Sequence, residues 1–295
     1  MSFLQRIKDC QAFEMTEYTP FLVEDMRIGL VRSKVADELA IFFKTLLILD
    51  DAMHISPDIQ GCEERTLAMA AVTEVLFERG LISGWRDELY PVAQSFDAPA
   101  LFHIERAAAP LFGVKAYGVH INGWVETKTG PAMWVGRRSI NKSSGPGLLD
   151  QMVAGGQPSG ISVMDNVIKE CAEEASIPRE IAMLARPVGA VSYCMTRDEG
   201  LRDDVLFNFD LQLPDDFRPV NMDGEVDEFM LWPLADVASA VAKDGIFKFN
   251  SGLVAIDFLL RHGFITPHEP GYAKIVSGLR ASPANTLTGI KRKFR

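Results

Sequence analysis

Apolar and polar positions follow two different periods along this chain. In the first third they recur with the spacing of amphipathic helices over residues 34–43 and 63–79, and Gly80 is the expected end of the second helix. In the middle third, runs rich in β-branched and aromatic residues predict strands over 116–125, 132–138, 188–195 and 205–213. The change of period predicts a smaller, helix-rich N-terminal domain over residues 1–112. It also predicts an α+β or α/β domain over residues 113–285, with a mixed sheet sandwiched by helices.

The C-terminal part of the chain carries weaker signals. Asn250 is the expected N-cap of a helix over 251–261, which Gly263 would end. The basic residues 286–295 are predicted to form a frayed tail.

The most informative local pattern lies in the second domain, where a strand, a glycine loop and a helix are expected in succession. A strand-like run over 149–154 leads into Gly155 and Gly156, and Ser162 follows as a candidate N-cap. One side of the predicted helix is an apolar stripe, made of Met164, Ile168, Cys171 and Ala175. The helix is therefore expected to pack through this stripe and to leave its acidic side available.

Three glutamates, Glu170, Glu173 and Glu174, crowd that acidic side. Residues three and four apart are neighbours on a helix, so the three carboxylates lie within an arc of roughly 100°. Like charges at this spacing repel by about 0.2–0.5 kcal/mol per pair, and the negative end of the helix dipole adds to the cost. Acidic surface helices show such pairs too, but the glycine loop and the apolar stripe favour a cation site. Oxygen ligands suit Mg²⁺, for which Mn²⁺ can substitute.

Composition narrows the functional classes. With 295 residues and 47% apolar content the chain can bury one large core or two smaller ones, and no apolar run reaches the roughly 18 residues of a membrane span. A net charge of −10 gives no basic field for a nucleic-acid polymer, whereas a single diphosphate held through a metal is compatible with it. The cysteines lack metal-site spacing and the N-terminus lacks a secretory signal, so a cytoplasmic location is predicted.

The order of these residues resembles the Nudix box. In that box a glycine, a lone glutamate, an arginine–glutamate pair and a glutamate–glutamate pair precede a last glycine and an apolar residue. Aligned without gaps, its intact positions fall on Gly155, Glu170, Glu173, Glu174 and Ile177. The resemblance implies the Nudix fold, and it implies that the three glutamates are the metal ligands.

Three positions depart from the box. Ile161 stands where the lone glutamate is expected, Lys169 replaces the arginine, and Ser176 replaces the last glycine. These positions brace the helix and the loop, so the departures concern geometry more than chemistry. Lys169 keeps the implied role of orienting Glu170, although a lysine lacks the forked donors of arginine.

The resemblance extends over most of the chain to one group, the Nudix proteins related to thiamine pyrophosphokinase. It rests on the segments 84–90, 104–107, 111–113, 117–123, 134–139, 149–156 and 223–229. Members of that group have a helical N-terminal domain of their own. They remove phosphate from thiamine diphosphate and, preferentially, from its oxidised, damaged forms. The sequence shows no room for a fused kinase, so the resemblance implies a stand-alone enzyme with a small-molecule diphosphate substrate.

The implied reaction is an attack of water on phosphorus, assisted by magnesium. Glu170, Glu174 and the loop residue Glu225 are the candidate catalytic residues, and Glu228 is a second loop glutamate flanking the start of a predicted strand. Because neighbouring carboxylates titrate as a coupled group, the sequence does not single out the general base.

Substrate contacts are expected from a second set of residues. The candidates for phosphate binding are Arg137, Arg138, Lys142, Gly155 and Gly156. Adjacent residues on a strand point to opposite faces, so at most one of the two arginines faces the substrate. A thiamine-like ring would need a stacking surface, and the candidates, each more typical of a core residue, are Trp85, Tyr90, Trp124, Trp134 and His120.

Two other functions stay open. A general nucleoside-diphosphate or nucleotide-sugar pyrophosphatase would use the same acids on another substrate. A degenerate Nudix domain that binds without hydrolysis would explain Ile161, whereas the retained glutamates argue against it. The N-terminal domain could close over the substrate pocket or mediate a homodimer.

Overall fold

The structure, a computed structural model, describes residues 2–142 and 144–281. The predicted tail over residues 286–295 lies outside this part of the chain. The helices are α1 Phe3–Asp9, α2 Ser33–Leu39, α3 Gly61–Glu78, α4 Ala109–Phe112, α5 Val163–Ala175, α6 Arg179–Ala182, α7 Leu234–Val241, α8 Phe249–Arg261 and α9 Tyr272–Gly278. The strands are β1 Tyr18–Val23, β2 Met26–Arg32, β3 Leu46–Leu49, β4 Ala52–Ile55, β5 Leu89–Val92, β6 Phe102–Glu105, β7 Lys115–Thr127, β8 Gly130–Arg138, β9 Leu149–Gln151, β10 Val153–Gly156, β11 Arg186–Arg197, β12 Gly200–Gln212 and β13 Val226–Pro233.

The N-terminal region combines the two predicted helices with a small sheet that the sequence analysis did not predict. The helices α2 and α3 lie where helical spacing was found. Four short strands pair in the order β2-β1-β4-β3, and β5 and β6 form a separate hairpin. Side chains from both kinds of element share one apolar cluster, which includes Phe21, Met53, Met69, Phe102 and Phe112. Apolar burial therefore joins the sheet, the hairpin and α3 into one packed unit.

A larger mixed sheet follows, and its architecture confirms the predicted fold class. Five strands run in the order β11-β12-β7-β8-β13, with β10 paired to β7 and β9 paired to β8. The β12–β7 pair is parallel. Side chains alternate across this sheet: Met133 and Val135 join the core beneath α7 and α8, whereas Trp134 joins the core beneath α5. The four predicted strands correspond to β7, β8, β11 and β12.

The first helix packs with the end of the chain rather than with the small sheet. Ile7 and Cys10 are buried in the same apolar cluster as Ile256 of α8 and Ile275 of α9. This contact joins the first helix to residues beyond the domain boundary that was expected between residues 112 and 113. The two domain ranges therefore stay predictions.

Two local expectations need correction. The predicted N-cap Asn250 lies inside α8, which begins at Phe249 with Lys248 as its N-cap residue. The backbone N–H of Lys248 donates to the Leu149 carbonyl at 2.9 Å, which holds residue 248 in an extended conformation and lets the helix begin directly after it. The strand-like run over 149–154 is two strands, because β9 and β10 pair with different neighbours. No helix in the described part of the chain is long and apolar enough to cross a bilayer.

Candidate active site

The helix α5 carries the acidic cluster, and its own sequence fixes its position. Ser162 is the N-cap, as predicted, and its Oγ accepts a hydrogen bond from the Asp165 backbone N–H at 3.1 Å. Cys171 and Ala175 of the apolar stripe are fully buried against the sheet. This packing turns the side of the helix that bears Glu170 and Glu174 toward β10.

Strand β10 holds both of these carboxylates in place. The backbone N–H of Ala154 donates to Glu174 Oε2 at 2.8 Å. A Cβ at Gly155 would lie only 2.2 Å from Glu170 Cδ, so the glycine leaves the space that the Glu170 carboxyl group occupies. Both glutamates are buried, with 8% of Glu170 and 7% of Glu174 exposed. The glycine loop is thus part of the acidic site.

Glu173 has a different environment from the other two glutamates. Its side chain is 52% exposed and lies 3.2 Å from the Lys169 ammonium group. The same Lys169 Nζ lies 3.0 Å from Glu170 Oε1. Lys169 therefore bridges the two carboxylates, at the position where the box has an arginine.

A loop after β12 adds two further acids. Carboxylate oxygens of Glu174, Asp223 and Glu225 all lie within 4.8 Å of one another. Asp223 was not among the candidate ligands from the sequence. The one local feature that could have indicated it is its position two residues before Glu225. Glu228 is exposed and lies 3.5 Å from the Arg137 guanidinium group, and it is not part of this cluster.

Burial sets the electrostatics of the acidic cluster. It raises the pKa of Glu170, although Lys169 opposes the shift. Burial also raises the pKa of Glu174 well above its ordinary value, and the nearby charges of Glu170, Asp150 and Glu225 add to it. At Glu225 burial is outweighed by Lys142, which holds the pKa of that carboxyl group below its ordinary value. An all-oxygen donor set that is short of positive charge fits a hard divalent cation.

The two adjacent arginines point to opposite faces of β8. Arg138 is largely buried and its Nη1 donates to Asp150 Oδ2 at 2.7 Å. Arg137 lies on the other face, half-exposed beside Glu228. Lys142 forms an ion pair with Glu225. The structure thus brings Arg138 and Lys142 to the acids and leaves Arg137 away from them, which gives no support to a substrate contact for Arg137.

A cleft of about 730 Å³ opens beside the acidic cluster, between the N-terminal region and the larger sheet. Its lining includes two acidic side chains, Asp198 and Glu199. It also includes seven basic side chains: Arg86, Arg106, Arg138, Lys142, Arg197, Arg202 and Lys248. The excess of basic side chains makes this cleft attractive to an anion.

A smaller inner cavity connects this cleft to the glycine loop. Both spaces are lined by Arg106, Arg202 and Lys248, which therefore lie at their junction. Gly155 and Gly156 form part of the inner wall. The inner cavity brings the basic cleft within reach of the glycine loop, against which the acids of α5 pack.

The N-terminal region touches the glycine loop directly. A Cβ at Gly156 would lie 1.6 Å from the Tyr90 hydroxyl oxygen and 3.2 Å from Arg106 Cζ. Arg106 is held by an ion pair with Glu88 at 2.8 Å. Glu105, which is buried, accepts hydrogen bonds from the backbone N–H groups of three residues around it, Arg86, Glu88 and Ala107. These contacts fix the segment that delivers Arg106 to the site.

The buried His120 and the partly buried Lys248 of the inner wall have strongly shifted pKa values. Burial lowers the pKa of Lys248 to about 8, although Asp150, 3.7 Å away, opposes the shift. Burial also lowers the pKa of His120 to about 4, so this ring is neutral at pH 7. Its Nδ1 lies 2.7 Å from Gln151 Oε1, and the Gln151 amide nitrogen donates to the Ser251 carbonyl, which orients the glutamine oxygen toward the histidine. His120 Nδ1 is therefore the donor.

The aromatic candidates divide into two groups. Tyr90 and His120 line the inner cavity, together with Tyr117. Trp85 packs on Phe77, Trp124 packs on His262, and Trp134 is buried beneath α5. None of the three cations at the cleft junction, Arg106, Arg202 and Lys248, was among the candidates from the sequence, because nothing in their local pattern distinguishes them from other surface cations.

Known proteins resemble this chain over most of its length. Residues 2–116 match a family described as a domain of unknown function, DUF4743. Nudix hydrolase 20, chloroplastic, of Arabidopsis thaliana is 45% identical over 289 residues, which cover 94% of this chain and 77% of that protein. Nudix hydrolase 24, chloroplastic, of the same plant is 45% identical over 288 residues, with the same coverage. These names place the relatives in chloroplasts, and a cytoplasmic location stays a prediction for this chain.

Among solved structures, the NUDIX domain of Shewanella oneidensis NrtR complexed with ADP ribose is similar to part of the chain. The two are 16% identical, and the match covers 51% of this chain and 90% of that one with a TM-score of 0.41. The identity to the plant relatives, sustained over nearly the whole sequence, is what assigns the family. The chain belongs to the Nudix hydrolase family.

Proposed function

We propose that the protein is a magnesium-dependent hydrolase that cleaves the diphosphate of a thiamine-diphosphate-like small molecule to the monophosphate. The observation that carries this proposal is the junction of two chemically opposite surfaces. Buried acids on α5 pack against the glycine loop, and the inner cavity joins that loop to a cleft with seven basic and two acidic side chains. A diphosphate bridging the two would meet both a cation site and anion-binding groups.

The residues present fit the proposed metal. Glu170 and Glu174 offer buried carboxylate oxygens, and Asp223 and Glu225 approach Glu174 from the loop. Glu173, exposed and tied to Lys169, is placed to bind at the outer side of such a site or through water. Bound magnesium, or manganese in its place, would neutralise charge on the diphosphate and lower the pKa of a bound water.

The chain's own residues supply the remaining functions. Arg106, Arg202 and Lys248 lie where the inner cavity meets the cleft, and we assign them to the phosphate oxygens. Arg138 and Lys142 lie between these cations and the acids, each held by an acidic partner. Glu170, Glu174 and Glu225 form the coupled acidic group from which the proton acceptor for water is drawn.

The charge of the cleft supports an oxidised thiamine diphosphate over the intact cofactor. An intact thiazolium ring carries a positive charge, whereas its oxidised thiazolone form is neutral. The excess of basic side chains disfavours the cation and leaves attraction to the diphosphate unchanged. Tyr90, Tyr117 and the neutral His120 offer uncharged faces for the ring within the inner cavity.

A substrate panel tests the proposal. The purified protein is incubated with thiamine diphosphate, its thiazolone form, ADP-ribose and a sugar nucleotide, with magnesium or with a chelator, and the products are counted. Release of inorganic phosphate plus thiamine monophosphates, in magnesium only, is expected. If only the nucleotides were cleaved, each into two phosphomonoesters, the protein would instead be a general pyrophosphatase. Tight binding of a substrate without any product would identify a binding module.

A matched pair of variants links the activity to the acids. We expect Glu174→Gln to lower kcat by at least roughly 100-fold, because removing a metal ligand costs several kcal/mol of transition-state stabilisation. Glu180→Gln, an exposed glutamate on α6, is the control that should keep full activity. Equal activity of the two variants would contradict the assignment of Glu174.

A further inference from the structure

The inner cavity contains an acidic group that neither the metal site nor the phosphate contacts use. Asp204 of β12 lines this cavity, and only 8% of the residue is exposed. Its ladder partner on β7 is Ala116, and Gly118 follows two residues later on the same face of the sheet. Both of these residues also line the cavity. Because neither has a side chain larger than a methyl group, the space beside the Asp204 carboxyl group stays free for a ligand.

A chain of buried hydrogen bonds fixes how the Asp204 carboxyl group is used. The Asn250 side-chain nitrogen donates to the Tyr193 hydroxyl oxygen at 3.4 Å. The tyrosine's own proton is therefore directed to Asp204, where Oδ2 accepts it. Arg202 Nη1 lies 4.0 Å from the same oxygen. Both protein partners thus engage one side of the carboxyl group.

The second carboxyl oxygen of Asp204, Oδ1, is left without a donor. It accepts no hydrogen bond from residues 2–142 or 144–281. Burial raises the pKa of this carboxyl group, although the charge of Arg202 and the hydrogen bond from Tyr193 oppose the shift. A buried acceptor is costly until it is paired, and a donor at Oδ1 would stabilise the ionised form further. A ligand with a suitable donor therefore gains a hydrogen bond here that the protein alone does not make.

A second acceptor lies farther along β7. His120 Nδ1 donates to Gln151, so the Nε2 atom of this neutral ring carries a lone pair. His120 lines the same cavity as Asp204. Basic side chains, in contrast, lie where the cavity meets the cleft: Arg106, Arg202 and Lys248. The inner cavity thus offers acceptors along its wall and cations at its junction with the cleft.

We propose that Asp204 determines substrate specificity by accepting a hydrogen bond from an amino group on a heteroaromatic ring of the substrate. The proposal rests on the function proposed above, since a diphosphate held by the junction cations places the rest of the molecule in the inner cavity. That cavity, about 100 Å³ against about 730 Å³ for the cleft, has room for one end of the molecule only. An amino group donates to Oδ1, whereas an oxo group at the same ring position would be a second acceptor and would leave Oδ1 unpaired.

In a thiamine-like substrate the group concerned is the amino group of the pyrimidine ring. Oxidation of the thiazolium ring leaves this pyrimidine ring unchanged, so Asp204 recognises the intact and the oxidised forms alike. The aromatic faces of Tyr90 and Tyr117 remain for the thiazole ring. Adenine and cytosine carry amino groups of the same kind. The contact therefore identifies a class of ring, and discrimination within that class lies with other residues.

Paired substrates test the contact in the unmodified protein. Each pair has an amino group in one member and an oxo group at the same ring position in the other: thiamine diphosphate and its 4-oxopyrimidine analogue, CDP and UDP, and ADP and IDP. With magnesium, kcat/KM should favour the amino member at least about ten-fold in any pair that is hydrolysed, because the oxo member leaves a buried acceptor unpaired. Equal values within every hydrolysed pair would overturn the role of Asp204. If no pair is hydrolysed, the dissociation constants measured by calorimetry decide in the same way.

The Asp204→Asn variant tests the residue itself. Because Asn250 donates to the Tyr193 oxygen, the tyrosine donates to residue 204 and retains the amide oxygen of the variant. The amide nitrogen then takes the position of Oδ1 and offers a donor. The preference should shift toward the oxo member by at least about 100-fold relative to the unmodified protein. Asp203→Asn, on the opposite face of the same strand beside Lys115, is the matched control and should keep the original preference.

A purely structural role for Asp204 predicts a different result. Weaker contacts with Tyr193 and Arg202 would lower the melting temperature and would reduce kcat/KM for both members of a pair equally. An unchanged ratio in Asp204→Asn would therefore overturn the proposal. The proposed function fails separately: an amino preference confined to the nucleotide pairs would exclude the thiamine-like substrate and keep the role of Asp204. Turnover of thiamine diphosphate and its oxo analogue at equal kcat/KM would keep that function and exclude the role of Asp204.

Discussion

Replacing Gly155 by alanine tests how much the position of the Glu170 carboxylate contributes to turnover. The added Cβ would lie 2.2 Å from Glu170 Cδ and 2.5 Å from its Oε1. Carbon atoms in contact keep about 3.5 Å, so the carboxyl group must move by roughly 1.3 Å. The obstacle is the end of a flexible side chain and not backbone, and β10 itself keeps an extended conformation that alanine can adopt. The fold should therefore survive while the Glu170 carboxyl group is displaced.

A displacement of this size has a calculable effect on turnover. Misplacing a reacting group by about 1 Å costs roughly 100-fold, or about 2.7 kcal/mol of activation free energy. We expect Gly155→Ala to lower kcat by about that factor and to weaken magnesium binding measured by calorimetry. Its melting temperature should fall by no more than about 4 °C, equivalent to roughly 1–2 kcal/mol in a domain of this size.

The control for this experiment is a glycine that has room for a methyl group. At Gly252 in α8 the nearest atom to an added Cβ is Phe247 Cβ at 3.7 Å. Gly252→Ala should keep full turnover and gain up to about 1 kcal/mol of stability from helix propensity. If Gly155→Ala matched Gly252→Ala in kcat and magnesium affinity, the position of Glu170 would have no role in the reaction.

Three further results are expected. Gly156→Ala should cost about 1–3 kcal/mol of stability by thermal melting, more than Gly155→Ala, because the new methyl group meets the buried Tyr90 hydroxyl at 1.6 Å and not a mobile carboxyl group. A Gly156→Ala variant with an unchanged melting temperature and full activity would contradict this packing. Arg138→Met should lose both activity and about 3 kcal/mol of stability, since it leaves Asp150 with only one close cation. Arg137→Met, at a half-exposed position on the opposite face, should change each by little. Similar losses in both variants would show that the face of the strand is irrelevant. The pKa of Lys248, lowered to about 8 from 10.5, means that its positive charge is present below pH 8 and is lost above it. The KM for the diphosphate should rise between pH 7 and pH 9, Lys248→Arg should remove that rise, and a pH-independent KM in the unmodified protein would refute the phosphate contact.

The acidic helix was predictable because its signals are local. Ser162 as N-cap, the stripe that includes Cys171, and the glutamates at helical spacing all lie within one short segment, and the structure has the helix where they predict it. The four strand predictions for the larger sheet succeeded for the same reason. Each run is long and has a clear apolar face on one side.

The strands of the small sheet were harder to predict because they are short and only partly buried. The run Leu46–Leu49 is apolar throughout, and a run of four residues does not distinguish strand from helix by period. Its pairing partner β4 follows a turn at Asp50 and Asp51, both with positive φ, which gives a hairpin without any glycine to signal it.

The cations at the junction of the cleft and the inner cavity were not predictable from local pattern. Arg106 comes from the segment after β6, Arg202 from β12 and Lys248 from the residue before α8. Tertiary packing alone brings them together, over sequence separations of about 50 to 140 residues. Their partners are equally distant, as the pair of Lys248 with Asp150 illustrates. The sequence predicted that a phosphate-binding set must exist and supplied only part of it.

Two of the three departures from the Nudix box, Ser176 and Lys169, are accompanied by contacts that serve the same tasks. Ser176 has φ +53, in the left-handed region where glycine is favoured, and this costs about 1–2 kcal/mol. Its Oγ donates to the Val220 carbonyl at 2.8 Å, which offsets about 0.5–1.5 kcal/mol of that cost. Lys169 contacts both Glu170 and Glu173 with one ammonium group, where an arginine would use two nitrogens. At these two positions the supporting residues have changed while the inward carboxylates remain, so neither substitution favours a binding module over an enzyme.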